Sequence, residues 1–187
     1  MLKKTHLAFG SVCGLAVLPY LPVLGIHIPE PSLSMQTPGF ETYGAAVLLG
    51  ALLPDIDKKG TAISRRVPVL PWLFSKVFGH RTALHSLLFV WLLYTYLPYW
   101  LPMPFVIGLV IGVLSHLLGD MMTHQGIRLL WPLPFDIRLP ITFETGGKIE
   151  YVILKVLTVV AAYQVADITS LLPWIIKGFY AIMYALG

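Results

Sequence analysis

The chain has 187 residues, of which 57% are hydrophobic and 12% charged, with a formal net charge of +4. A soluble domain carries about 25% charged residues, so this composition excludes a surface that faces water throughout; the surplus apolar surface must face lipid. The single cysteine, Cys13, excludes an intramolecular disulfide.

Apolar segments run over about 6–25, 42–54, 84–101, 103–122, 150–166 and 171–186. The first follows Lys3-Lys4, is interrupted by Pro19 and Pro22, and has no clean small-x-small cleavage site. It reads as a retained helix rather than a cleaved leader, with Cys13 packed within it. The second is short for a span, which needs about 20 residues, and Pro54 ends it. The third and fourth are joined by a turn between Pro98 and Pro104, which predicts a helical hairpin. A second hairpin is expected over 151–186. The fold class expected is all-α, a polytopic membrane bundle of about six segments, in one domain over 1–187 with its motifs within about 5–150.

Orientation follows from lysine and arginine. With the N-terminus inside, the inner loops hold Lys3, Lys4, Lys58, Lys59, Arg65, Arg66, Lys76, Arg81, Arg128, Arg138 and Lys148, and the outer loops (26–41, 98–103 and 167–170) hold none. The positive-inside rule then predicts an inner-membrane protein with both termini cytoplasmic. Because the positive charge is spread through these loops, no specific nucleic-acid partner is expected; the lipid bilayer is.

Ionisable residues at a membrane edge need partners, and here they gather on the side predicted to be cytoplasmic. His6 opens the first segment, Asp55 and Asp57 follow Pro54, and His80 and His85 bracket the start of the third segment. His116 and Asp120 lie four apart in a predicted helix, so both project from one face. Asp55 and Asp57 flank one residue, and two carboxylates so close repel unless a cation lies between them. Imidazole with carboxylate suits zinc, manganese or iron. Seven candidate ligands (His6, Asp55, Asp57, His80, His85, His116 and Asp120) exceed one four-coordinate site, which points to two ions.

Each has a plainer reading. Asp55 and Asp57 fit solvated turn positions, His116 with Asp120 fits a buried hydrogen-bonded pair, and His6 fits an interfacial side chain. His27 is read as interfacial. Ser86 and Ser115 adjoin the histidines but carry no oxyanion motif, and are expected to make helix contacts. His124 lies two turns beyond His116 and is left open between ligand and surface. Arg65 and Arg66 fit topology and headgroup contacts; Arg81, between two proposed ligands, fits an anion-binding fork.

Together these motifs resemble the YdjM-like family of inner-membrane metal-dependent hydrolases. The residues that carry the resemblance are Leu52-Leu53-Pro54-Asp55-Ile56-Asp57, Gly79-His80-Arg81 with His85-Ser86-Leu87-Leu88, and Ser115-His116-x-x-x-Asp120-x-x-Thr123-x-x-Gly126. Leu129-Leu130-Trp131-Pro132, Arg138-Leu139-Pro140 and Glu150 add to it. Leu84 stands where the family commonly has threonine, and the family pattern does not require His124. The resemblance implies metal-dependent hydrolysis without fixing a substrate. A looser similarity to zinc-dependent phospholipase C and related nucleases favours phosphoesters.

The expectation is therefore a hydrolase acting on a phospholipid or other amphiphilic phosphoester. Metal, zinc first, would be held by the seven ligands, with Arg81 on substrate oxygens and Asp57 or Glu150 as general base. A divalent-metal or proton transporter is the alternative, although the polar residues sit at one edge rather than along a path. A membrane protein with a purely structural metal is a third.

Overall fold

The computed structural model describes residues 1–26, 38–57 and 83–168. Among them the chain forms five α-helices: α1 (Lys3–Val17), α2 (Pro38–Gly50), α3 (Leu87–Tyr96), α4 (Met103–Met121) and α5 (Lys148–Ile168). Short 3-10 turns occupy Leu18–Leu24, Leu53–Asp57, Ala83–His85 and Leu97–Tyr99. No β-strand forms among these residues; the connection from α4 to α5 contains only two isolated bridges, Thr123 with Phe143 and Ile127 with Ile137.

Prolines set several helix limits. Pro19 and Pro22 fall in the 3-10 continuation of α1, where a missing N–H and a fixed φ disfavour further α-helix. Pro102 caps α4 and Pro104 sits in its first turn, a position where the absent N–H costs no intrahelical bond. The α3–α4 hairpin expected from these prolines is present.

Three stretches are long and apolar enough to cross a bilayer: Lys3–Val23, Met103–Met121 and Lys148–Ile168. Six segments were expected. Among the described residues, α2 stops at 13 residues and Leu87–Tyr99 is a shorter apolar helix; the expected segment 171–186 lies outside the described residues.

At the centre lies α4, with 61% of its apolar stretch buried, against 6% for α5. Small residues explain how tightly α2 packs on it. A Cβ added to Gly112 would collide with the Val47 carbonyl, and one on Gly50 with the Leu109 carbonyl. Without a hydrophobic drive between helices in lipid, such backbone contact is what holds spans together. Side chains Ala46, Leu109, Val113 and Leu117 fill the seam, with Ile127 returning from the α4–α5 connection. Tyr43 of α2 donates its hydroxyl to the Gly14 carbonyl of α1 at 2.7 Å. Outermost is α5, which rests on α1, where Gln164 donates to the Val12 carbonyl at 3.4 Å. A mostly apolar cavity of about 500 Å³ lies between α1, α2 and α5.

Candidate metal centre

The polar residues of the bundle converge at one end. His6 arrives in the first turns of α1, Asp55 in the 3-10 turn after α2, and His85 in the turn before α3. His116 and Asp120 lie on the last two turns of α4. His6, His85 and His116 are fully buried and Asp120 nearly so.

One donor atom each from Asp55, His85, His116 and Asp120 lies within 4.8 Å of all the others. The Nε2 atoms of His85 and His116 face each other at 3.3 Å. Asp120 Oδ2 is 3.6 Å from both Nε2 atoms. Asp55 Oδ1 is 3.6 Å from His85 Nε2 and 3.7 Å from His116 Nε2.

The end of α2 explains one ring orientation. Pro54 has no N–H, and the Asp55 N–H turns to the Leu52 carbonyl in the 3-10 geometry. The Ala51 carbonyl is thereby left without its usual helical partner, and His116 Nδ1 lies 2.8 Å from it. A carbonyl only accepts, so Nδ1 carries a proton, and in the neutral ring Nε2 then presents its lone pair to the cluster. This is the outer hydrogen bond that commonly fixes a metal-binding histidine. Burial pushes the His85 imidazole below its ordinary value, which favours its neutral, ligating form. His85 Nδ1 is buried with no hydrogen-bond partner among the described residues. Two carboxylates and two imidazoles packed this way could hold a cation between them.

His6 stands beside the group of four. Its ring stacks on His116 with centroids 3.8 Å apart and planes 7° from parallel. Its Nε2 lies 3.2 Å from Asp120 Oδ1, the oxygen turned away from His85 and His116. The Met1 nitrogen is 2.6 Å from that same oxygen. Asp120 thus faces two sets of partners with its two oxygens.

Glu150, expected as ligand or base, is fully buried in the first turn of α5. Its carboxylate accepts from the Leu2 N–H at 2.6 Å and the Gly146 N–H at 2.7 Å, tying the start of α1 to the start of α5. Asp57 ends the 3-10 turn after α2, but its side chain lies outside the described residues. So do His80, Arg81, Arg65, Arg66 and His27. Ser86 caps α3, accepting from Phe89 N at 3.3 Å, and Ser115 donates to the Gly112 carbonyl at 2.7 Å; both make the helix contacts expected of them. The fourth segment, expected over 103–122, ends as α4 at Met121, and His124, left open between ligand and surface, sits beyond it in an exposed turn with Nδ1 2.7 Å from Thr142 Oγ1.

Sequence reasoning missed the Ala51 carbonyl, although a helix stopped by Pro54 signals free carbonyls one turn earlier. It also missed the glycine packing, for which the Gly108-x-x-x-Gly112 spacing was the available sign.

Comparison with known proteins agrees on the family. The sequence pattern of the family described as YdjM inner membrane protein matches residues 1–186. The uncharacterized protein YvsG of Bacillus subtilis is 41% identical over 123 residues, covering 64% of this chain and 75% of YvsG. The inner membrane protein YdjM of Escherichia coli is 37% identical over 121 residues, covering 61% of this chain and 62% of that protein, and the Shigella flexneri YdjM matches equally. No solved structure matches the chain, so the likeness to the phospholipase C fold has no structural match behind it.

Proposed function

The chain belongs to the family of YdjM inner membrane proteins, and on that footing we propose that it is a membrane-bound, metal-dependent hydrolase. The observation that carries the reading is the tetrad Asp55, His85, His116 and Asp120. A tetrahedral zinc ion with bonds of about 2.0–2.2 Å needs donor-to-donor edges of about 3.3–3.6 Å. Five of the six edges here measure 3.3–3.7 Å. Such agreement among residues from three separated stretches of chain supports zinc first, with manganese or iron compatible with the same donors.

The residues divide the work by position. Asp55, His85, His116 and Asp120 hold the ion, and the Ala51 carbonyl keeps His116 in its ligating tautomer. His6 and the second Asp120 oxygen offer donors towards a second ion. Arg81, four residues before His85, is assigned to substrate oxygens, and Asp57, two after Asp55, to proton transfer. When bound, the cation supplies Lewis-acid polarisation of a substrate oxygen and of water.

A phosphoester on an amphiphile is the substrate class favoured. The cluster lies at one end of α1 and α2, and these helices also wall the apolar cavity beside Leu15, Val47 and Leu48. A headgroup at the ions would thus have room for a tail deeper in the bundle. The exposed Lys3, Lys4, Arg128, Arg138 and Lys148 occupy the cluster's end of the described bundle, which supports a cytoplasmic orientation for the site and for the N-terminus.

The test is hydrolysis of a panel of phospholipids and soluble phosphoesters by purified, zinc-loaded protein, beside Asp55→Asn. Turnover that vanishes in the variant is expected. Metal-loaded protein inert across the panel overturns the hydrolase reading, and zinc uptake by proteoliposomes would replace it with transport.

A further inference from the structure

The connection between α4 and α5 combines two properties that conflict in either water or hydrocarbon. Its backbone is irregular, with only two isolated bridges, so many of its N–H and C=O groups need water and cannot sit in the hydrocarbon core. Yet it exposes large apolar side chains: Leu133 at 48%, Phe135 at 49% and Ile141 at 82%. In water such side chains would be an aggregation-prone surface. The headgroup region offers both hydration for the backbone and an acyl boundary for the side chains.

Its place in the fold and its charge fit that region. The connection is fixed to the cluster's end of the bundle: the Leu87 N–H donates to the Leu129 carbonyl at 2.9 Å, and the Leu139 N–H to the Met121 carbonyl at 2.9 Å. That end exposes Lys3, Lys4, Arg128, Arg138 and Lys148 against the acidic Asp136 and Glu144. Asp136 pairs weakly with Arg128 at 3.8 Å. The far end of the described bundle carries Glu41 and Asp167 and no basic residue. A net positive collar complements an anionic leaflet.

We propose that residues 128–141 are an interfacial anchor for anionic phospholipid. Leu133, Phe135 and Ile141 insert below the headgroups, and the basic collar lies among the phosphates. The anchor sets the depth of the neighbouring polar cluster, holding it at headgroup level. It requires neither a bound metal nor catalysis.

The experiment uses the full chain in a Cys13→Ala background, reconstituted in vesicles of phosphatidylethanolamine with or without phosphatidylglycerol. Spin labels are placed at Phe135→Cys, Ile141→Cys and, as an outward reference, Glu144→Cys. Leu133→Cys provides an independent reading where one of these fails to fold. Labels at 133, 135 and 141 are expected to meet dissolved oxygen readily and a water-soluble nickel chelate several-fold less than the label at 144. Phosphatidylglycerol should deepen them, and the double variant Arg128→Gln, Arg138→Gln should lose that lipid dependence. Equal chelate access at 135, 141 and 144 overturns the anchor. Strong spin–spin coupling between copies, unchanged by lipid composition, also overturns it and makes this surface a contact with a second copy.

Discussion

Replacing Asp55 with Asn gives opposite results with and without metal if the tetrad is a metal site. The donor oxygens of Asp55 and Asp120 lie within 4.8 Å of each other. At an effective dielectric near 20, two unit charges at that separation repel by about 3.5 kcal/mol. Asp55 is 15% exposed, and solvent screening brings this to about 2–3 kcal/mol. With metal stripped by chelator, Asp55→Asn removes that repulsion and keeps the side chain's shape, so the variant should be the more stable protein. At about 2–4 °C per kcal/mol for a chain of this size, its unfolding midpoint should rise by about 4–12 °C. With zinc at a hundred times the wild-type dissociation constant, wild type alone gains about 2.7 kcal/mol, and the gap should close or reverse. Tryptophan fluorescence during heating of detergent-solubilised protein, in chelator and in zinc, reads both arms. Equal destabilisation of Asp55→Asn in both conditions would refute the reasoning and make Asp55 a structural hydrogen-bonding group.

Three further outcomes follow from the same geometry. Burial lowers the His85 pKa below its ordinary value of 6.5, so the unfolded chain binds a proton that the folded chain resists. His85 therefore contributes stability that is complete above about pH 6.5 and is lost as pH falls below it; chelator-treated protein unfolded across pH 5–8 should show this slope, and His85→Gln should flatten it. Glu150→Gln weakens one of two charge-assisted bonds to the Leu2 and Gly146 amides, and should cost about 1–2 kcal/mol in unfolding experiments while leaving metal content unchanged. Gly112→Ala places a methyl against the Val47 carbonyl and should destabilise by about 1–3 kcal/mol, with Gly112→Leu failing to yield folded protein on size exclusion.

Much of the site's outline was legible because it depends on local rules. The spacing of His116 and Asp120 places both on one face of α4, and Pro54 ends the helical run just before Asp55. Proline-bounded hydrophobic runs located the α3–α4 hairpin. What escaped depended on packing between distant segments. The short second segment could be read as ending at Pro54, but its close backbone approach to α4 through Gly50 and Gly112 could not. The surroundings of Glu150 were not legible either, because burial is invisible in sequence; its partners are backbone amides 4 and 148 residues away, and no residue type signals such partners. The split of Asp120 between His6 on one oxygen and His85 with His116 on the other could not be read from spacing at all.

The most direct test of the central claim is metal content per chain, by elemental analysis of protein purified without added metal and then equilibrated with limiting zinc. The account predicts at least one tightly held equivalent in wild type and near-complete loss in both His116→Ala and Asp55→Asn, with the variants still folded. Folded wild type that retains no metal, or variants that keep the full wild-type equivalent, would contradict it.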